Sequence, residues 1–274
     1  MPSDTLNKNA LLQADSLSFS YGIEPVLKNI RLQMRSGEMI GIIGPNGAGK
    51  TTLIKLLAGI LPAQKGAVYA NGKQISEIKR KEIARLIAYV PQTVDLQFDF
   101  AVEEIIGMGR YPFLQGMALL DDGGRPAVEQ ALRTMDLQPM RRRSFLSLSG
   151  GEKQRTIIAS ALAQQTEIML LDEPTSSLDL KHQQQIYRIL RRLTREENKL
   201  VVLITHDINL SAQFCDRMVL LHNGAVIADG RPDEVLKFNL IQQVYGVKVY
   251  IDVNPLTDTL YILPYDTEND ATDD

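Results

Sequence analysis

The stretch GPNGAGKTT, residues 44–52, decides how this chain folds. Its pattern G-x-x-x-x-G-K-T places glycines where a backbone must curl around phosphate oxygens, and it points amide groups at the anion. A buried-looking apolar run, residues 39–43, precedes the stretch, and apolar residues follow it at helical spacing up to Leu57. Because strand, motif and helix occur in that order, a plain glycine-rich turn is a remote alternative. The sequence therefore predicts a nucleotide-binding loop at the start of a helix.

Every residue of this phosphate loop (residues 44–52) is a candidate nucleotide contact. The set is Gly44, Pro45, Asn46, Gly47, Ala48, Gly49, Lys50, Thr51 and Thr52. Lys50 is expected to reach the β- and γ-phosphates, which makes it a candidate catalytic residue as well. Thr51 is expected to offer its hydroxyl to Mg²⁺.

Two adjacent carboxylates end a second apolar run, residues 168–171. Asp172 is predicted to hold a hydrated Mg²⁺, and Glu173 to orient and deprotonate the attacking water. The pair could instead begin a capped helix, but Pro174 and the downstream Asp179 make that reading weak. The sequence thus predicts ATP hydrolysis, with Glu173 as the general base.

A second candidate phosphate contact is the signature segment, Ser149-Gly150-Gly151-Glu152. Ser followed three residues later by Glu is also a capping box that would start any helix. Capping does not explain two glycines in the first turn, where each costs about 1 kcal/mol relative to alanine. Bare backbone at a helix N-terminus suits a close phosphate. We therefore predict a second γ-phosphate contact, on a nucleotide other than the one bound by the same chain's phosphate loop.

Composition excludes several classes of protein. The 274 residues are 44% hydrophobic and carry a formal net charge of -3, which argues against a nucleic-acid-coating protein. The apolar runs are far shorter than the ~20 residues of a membrane-spanning helix, and the N-terminus does not resemble a secretory signal. Cys215 is the only cysteine, and it is expected in the core of a protein from a reducing compartment. We expect no membrane span, no nucleic-acid partner and no zinc site.

The order of predicted elements indicates an α/β fold. Short alternating runs before residue 44 predict strands, residues 78–88 predict a helix, and residues 102–146 predict helices with no strand among them. Strands alternating with helices after residue 149 predict a parallel sheet covered on both faces. Alternation within residues 247–265 predicts a C-terminal hairpin.

In combination, these motifs resemble the ATP-binding subunit of an ATP-binding cassette (ABC) transporter over nearly the whole chain. The resemblance implies a P-loop NTPase fold with a mostly parallel core sheet, an N-terminal antiparallel β subdomain, an inserted helical subdomain and a C-terminal β-hairpin. The predicted division is a flexible N-terminus (1–10), the ATPase domain (11–246) with its helical subdomain (about 93–160), the hairpin extension (247–265) and a disordered acidic tail (266–274).

The resemblance also implies further site residues. Tyr21 matches the aromatic residue that stacks on adenine, Gln92 the glutamine that touches Mg²⁺ and the membrane partner, and His206 the histidine at the γ-phosphate, a candidate catalytic residue. Residues 176–179, ending in Asp179, match a loop that communicates across a dimer. Taken singly, Tyr21 could be an ordinary strand tyrosine, Gln92 a turn residue and His206 a histidine satisfied at a strand end. Their order between the stronger motifs favours the functional reading.

Two segments resemble one group of importers, those for iron-siderophores, haem and cobalamin. They are residues 102–112, which contain GRYP, and residues 230–249. The resemblance implies a homodimer that sandwiches two ATP molecules between phosphate loop and signature segment. It also implies two permease subunits, a substrate-binding protein and a place at the cytoplasmic face of the membrane. The alternatives are a soluble ATPase of iron-sulfur cluster assembly and the ATPase subunit of an exporter.

Overall fold

The structure, a computed structural model, describes residues 10–94, 98–114 and 124–265. The predicted tail (266–274) and all of the predicted N-terminal segment except Ala10 lie outside these residues, so both remain predictions. None of the helices in the described ranges combines the length and apolarity that a bilayer span requires.

The chain alternates strands and helices as follows. The strands are β1 (Leu12–Ser20), β2 (Pro25–Met34), β3 (Met39–Ile43), β4 (Lys65–Ala70), β5 (Lys73–Gln74), β6 (Ile87–Val90), β7 (Ile168–Asp172), β8 (Leu200–Ile204), β9 (Arg217–His222), β10 (Ala225–Gly230), β11 (Lys248–Asn254) and β12 (Thr259–Tyr265). The α-helices are α1 (Lys50–Leu57), α2 (Arg80–Leu86), α3 (Val102–Met108), α4 (Gly124–Thr134), α5 (Gly150–Ala163), α6 (Leu180–Glu196), α7 (Ile208–Phe214), α8 (Pro232–Val235) and α9 (Phe238–Tyr245). Short 3₁₀ turns occupy Ile75–Glu77, Tyr111–Phe113, Gln138–Met140 and Phe145–Ser147.

The central sheet has six strands in the order β10-β9-β3-β8-β7-β6. All neighbours pair in parallel except β10 and β9. Every residue of β3, β7 and β8 is buried, as expected for strands with helices or a second sheet on both faces. The predicted mostly parallel core is confirmed.

A second sheet, antiparallel and in the order β2-β1-β4-β5, is built from the N-terminal strands. Its apolar face packs with α1 against the central sheet around Leu17, Leu32 and Ile54. The turn between β4 and β5 is Asn71-Gly72, and both residues have positive φ, the conformation that two-residue hairpins favour. The predicted N-terminal antiparallel sheet is therefore present.

Helices α3, α4 and α5 pack around a shared cluster that contains Val102, Ile106, Leu132 and Ile158. Within the described parts of residues 98–149 no strand occurs, and an isolated bridge joins Ala101 to Ser144. The helical character predicted there is observed, while the boundaries assigned to the subdomain stay a prediction.

Some elements differ from the sequence-based expectations. Helix α2 is shorter than the predicted helix 78–88, because Ile87 and the following residue pair with β7 as part of β6. Strand β10 and helices α8 and α9 were not predicted. Strand β10 alternates only weakly in burial, since it lies at an edge of the sheet. Its pairing with β9 is what makes it a strand.

The C-terminal hairpin of β11 and β12 is present and packs on the central sheet. Ile262 of β12 lies in a cluster with Ile43, Leu220 and Ile241. The side chain of Asn209 in α7 makes two hydrogen bonds to the backbone of this strand: it accepts from Ile262 N–H (2.7 Å) and donates to Ile262 C=O (3.2 Å). The Asn209 side chain thus satisfies both backbone groups of Ile262, as a residue of a neighbouring strand would.

We expect Asn209→Ala to lower the free energy of unfolding by about 1–3 kcal/mol, because both polar groups of Ile262 lose their partner in a part-buried place. Chemical denaturation followed by circular dichroism measures the change. Gln213→Ala, on the partly exposed face of the same helix, is the control and should stay close to the parent. Equal stability of the two variants would show that the pairing contributes nothing.

Candidate active site

Three parallel neighbours bring the predicted motifs to one edge of the central sheet. Ile42 of β3 and Asp172 of β7 both pair with Ile204 of the strand between them, β8. The loops that follow these strands therefore begin side by side, at the carboxyl ends where open α/β sheets bind ligands. The phosphate loop, Glu173 and His206 are brought together in this way.

The phosphate loop needs glycine for steric reasons. Gly44, Gly47 and Gly49 all have positive φ, and Gly49 immediately precedes α1. A Cβ atom on Gly44 would lie 2.1 Å from the carbonyl oxygen of Leu221, whereas one on Gly47 would meet no atom within 4 Å. The loop is thus packed against β9 at Gly44 and open at Gly47, which leaves room for a phosphate group at a helix N-terminus.

Lys50 points into the concave side of this loop. Its Nζ donates hydrogen bonds to the carbonyl oxygens of Gly44 (2.8 Å) and Pro45 (3.0 Å). Burial lowers the pKa of the ammonium group, while the negative charges of Glu173 and Asp172 oppose that shift. The cation is therefore held inside the loop at the place where a terminal phosphate would meet it.

Asp172 and Thr51 form an oxygen pair beside Lys50. The Thr51 hydroxyl donates to Asp172 Oδ1 at 3.2 Å, and Asp172 is only 1% exposed. Burial raises the pKa of this carboxyl group, and the Thr51 hydrogen bond acts in the opposite direction. A carboxylate and a hydroxyl are hard oxygen ligands of the kind Mg²⁺ takes when phosphates and waters complete its shell. The two residues fit such an ion.

Glu173 has an unusual backbone and a fully engaged carboxylate. Its φ is 50°, in the left-handed region, and its N–H donates to the Ile204 carbonyl at 3.1 Å. Gln92 Nε2 donates to Oε2 at 2.7 Å, and His206 Nε2 lies 2.7 Å from Oε1. Strain of this kind is typical of residues fixed for function. Gln92 therefore contacts the predicted general base, and its contact with Mg²⁺ stays a prediction.

The signature segment begins α5 with a complete capping box. The Glu152 side chain accepts from Ser149 N–H at 2.8 Å, and the Ser149 hydroxyl accepts from Glu152 N–H at 3.3 Å. Packing within the chain does not require Gly150, since a Cβ there would have ordinary contact with Ser177 at 3.9 Å. One on Gly151 would meet the flexible end of the Leu178 side chain at 3.3 Å.

Tyr21 and Asp179 lie at the surface near these elements. Tyr21 is 66% exposed, its ring packs edge-on against Phe19, and its hydroxyl lies 3.5 Å from the Thr52 hydroxyl. An exposed aromatic ring beside the phosphate loop fits the predicted adenine contact. Asp179 is the N-cap of α6: it accepts from the backbone N–H of His182 and lies 2.7 Å from its ring nitrogen. The capping bond from His182 is the main reason that the pKa of Asp179 is lowered.

Sequence reasoning missed three contributions to this edge of the sheet. The hydroxyl of Tyr245, in α9, lies near the backbone of Gly44, and burial raises its pKa to about 12. The phenol of Tyr89 has a raised pKa because it is buried and lies near the Asp172 charge. A cavity of about 450 Å³ beside Glu173 and His206 is walled by β12 of the hairpin. Nothing in the local sequence marks these contacts, since each joins segments far apart in the chain.

Comparison with known proteins defines the class. The ABC transporter family matches residues 27–176. The chain is 36% identical over 255 residues to the iron(3+)-hydroxamate import ATP-binding protein FhuC of Bacillus subtilis, covering 93% of this chain and 95% of that protein. The chain belongs to the ABC transporter family. It is an ATP-binding subunit and an ATPase of that family.

Two further relatives and one solved structure are similar to this chain. The chain is 38% identical to the hemin import ATP-binding protein HmuV of Streptomyces coelicolor, over 93% of this chain and 90% of that one. It is 40% identical to YvrA of Bacillus subtilis, an uncharacterized ABC transporter ATP-binding protein, and spans only 54% of its length. Among solved structures, it resembles a chain of an inward-facing ABC transporter assigned to the metal-chelate type, with a TM-score of 0.81, 27% identity and coverage of 94% and 98%.

The phosphate loop offers a matched pair of variants. We expect Gly44→Ala to abolish ATP binding and lower the melting temperature, because the new methyl group would collide with the Leu221 carbonyl. Gly47→Ala should cost only the backbone strain of positive φ, about 1–2 kcal/mol, and should keep measurable ATP affinity. Fluorescent-nucleotide titration and thermal melting measure both. The same loss in both variants would mean that packing against Leu221 is not what the loop requires.

Proposed function

We propose that this chain powers an importer of metal chelates by hydrolysing ATP in a homodimer whose two sites are shared between subunits. The observation that carries the proposal is the pair of glycines at the start of α5. Packing within the chain does not demand Gly150, a Cβ on Gly151 would meet only the end of the Leu178 side chain, and glycine at either position weakens the helix. A close phosphate of a nucleotide bound by the second subunit accounts for both.

Each named residue then has a chemical task. Lys50 and the phosphate-loop amides neutralise the β- and γ-phosphates, and Tyr21 stacks on the adenine. Glu173, held by Gln92 and His206, accepts the proton of the attacking water. His206 is free to turn from Glu173 to the γ-phosphate, since its side chain is about half exposed. The signature segment of the partner subunit supplies the remaining donors.

Thr51 and Asp172 are the proposed Mg²⁺ ligands of the site, with Gln92 as a third contact once nucleotide is bound. When present, the ion would neutralise charge on the phosphate oxygens. The chain's own part is to hold two oxygen ligands ready: Asp172 is buried at the end of β7, and Thr51 is in the first turn of α1.

The proposed partners follow from the relatives. Proteins named as import subunits for ferric hydroxamate, hemin and petrobactin are 36% to 38% identical to this chain. We propose that two copies dock on two permease subunits at the cytoplasmic face of the membrane, and that a separate binding protein delivers the cargo. Nucleotide closes the dimer, and hydrolysis removes the γ-phosphate that joins the two subunits.

We expect Glu173→Gln to slow hydrolysis roughly 10²- to 10⁴-fold, because the amide cannot take the proton from water. The affinity for MgATP should be unchanged, since the phosphate loop is intact. With turnover stopped, MgATP should convert the chain from monomer to dimer, which light scattering after gel filtration detects. Parental hydrolysis by this variant would remove Glu173 from the role of base.

The matched control is the double variant Ser149→Arg/Glu173→Gln. Its phosphate loop is untouched, so each chain should bind one MgATP. The arginine side chain fills the space over Gly150 and Gly151, and the chain should therefore stay monomeric. A double variant that still dimerises with MgATP would contradict the shared site.

The proposed role of Thr51 as a Mg²⁺ ligand can be tested with Thr52 as the control position. Thr51→Val removes the hydroxyl that bonds Asp172, and we expect hydrolysis to need about tenfold more Mg²⁺ for half-maximal rate. Thr52→Val has the same shape change one residue away, where the hydroxyl faces Tyr21, and should leave the Mg²⁺ requirement unchanged. Equal requirements in the two variants would rule out the Thr51 hydroxyl as a ligand.

Testing the proposed class of cargo requires the assembled transporter. The chain should copurify with a polytopic membrane protein from its own source. In proteoliposomes that complex should take up a ferric hydroxamate, haem or cobalamin only with ATP inside. Copurification with soluble partners alone would favour the iron-sulfur assembly alternative.

A further inference from the structure

The GRYP segment, residues 109–112, forms a turn that leaves the end of α3 and touches the far end of α5. A Cβ atom on Gly109 would lie 2.0 Å from the carbonyl oxygen of Ser160. The two backbones are therefore in direct contact, and no side chain fits between them. The turn continues into a 3₁₀ segment whose first residue, Tyr111, is 72% exposed.

Arg110 holds the C-terminal end of α5. Its Nη1 donates to the carbonyl oxygen of Ala163, the last residue of that helix, at 2.9 Å and to Gln165 Oε1 at 3.2 Å. The last carbonyls of a helix have no partner within it, and they carry its partial negative charge. The guanidinium group of Arg110 supplies a hydrogen-bond donor for these carbonyls and a positive charge beside their negative end. Arg110 therefore caps the helix and also holds its end in place.

The same guanidinium is anchored from the other side. Arg110 lies over the ring of Phe113, with Cζ 4.3 Å from the ring centroid. Arg85 of α2 lies 5.8 Å from that centroid and donates to the Pro112 carbonyl at 2.9 Å. Stacking on an aromatic ring restricts a planar guanidinium in a way that it does not restrict an ammonium. The turn is therefore tied to α2 and α5 together.

Helix α5 joins this anchored end to the signature segment. It has 14 residues and so is about 21 Å long. Its first turn contains Gly150 and Gly151, and its last residue accepts the hydrogen bond from Arg110. Because a helix moves as a rod over this length, a shift at one end displaces the other.

We propose that Arg110 is a positioning residue that sets the place of the signature segment by holding the opposite end of α5. The inference rests on the proposed function, because the signature segment matters only in the shared site. It adds that the exposed turn at Tyr111 is mechanically joined to that site. A mere cap would stabilise the last turn of α5 and leave its first turn unaffected.

The test uses the full chain in the Glu173→Gln background, with Arg110→Ala, Arg110→Lys and the control Arg133→Ala, an exposed arginine on α4. We expect Arg110→Ala to keep the MgATP affinity of the monomer and to weaken MgATP-driven dimerisation about tenfold, as loss of charged hydrogen bonds allows. Arg110→Lys should fall between, since lysine can reach a carbonyl but cannot stack. The control should match the parent in both measurements.

Hydrogen exchange separates positioning from capping. In Arg110→Ala, amide exchange should accelerate both at residues 160–165 and at residues 150–153. Acceleration at residues 160–165 alone, or a dimerisation constant equal to that of the control, would overturn the inference. If the Glu173→Gln parent itself fails to dimerise with MgATP, the proposed shared site is wrong. The exchange at residues 150–153 would then still decide whether Arg110 positions the start of α5.

Discussion

The parallel pairing of β3, β8 and β7 is the constraint on which the rest of this structure depends. It aligns the carboxyl ends of three fully buried strands, so the phosphate loop, Glu173 and His206 emerge next to one another. Each of these segments begins at the end of a buried strand, which fixes where its first residues lie. The antiparallel sheet, the helices and the hairpin serve to cover that core and to hold its edge.

Burial sets the electrostatics at this edge. Lys50 and Asp172 are both removed from water, which lowers the pKa of the first and raises that of the second. Each buried charge is stabilised by hydrogen bonds. The Lys50 ammonium group donates to two carbonyl oxygens of the loop, and the Asp172 carboxylate accepts from the Thr51 hydroxyl. Charges held in this way suit an anion and a cation that arrive together, as MgATP does.

The proposed contact with a second nucleotide lies at the start of α5. The capping box starts α5 without needing glycine, yet the two glycines leave its first turn bare beside Ser177 and Leu178. The other end of the same helix accepts a hydrogen bond from Arg110, which stands in a turn whose Tyr111 is exposed. Helix α5 therefore joins the exposed turn at Tyr111 to Gly150 and Gly151, where we propose that a second nucleotide binds.

The sequence by itself determined the motifs, because each depends on neighbours a few residues away: the glycines around Lys50, the Asp172-Glu173 pair after an apolar strand, and the serine cap of α5. Periodicity predicted most of the strands and helices for the same reason. Only the tertiary structure decided that Gln92 and His206 hold Glu173, that Tyr245 meets Gly44, and that Asn209 pairs with β12. Strand β10 likewise exists through its pairing with β9. These contacts join distant segments, and local alternation of polar and apolar residues carries no information about which distant partner a side chain will meet.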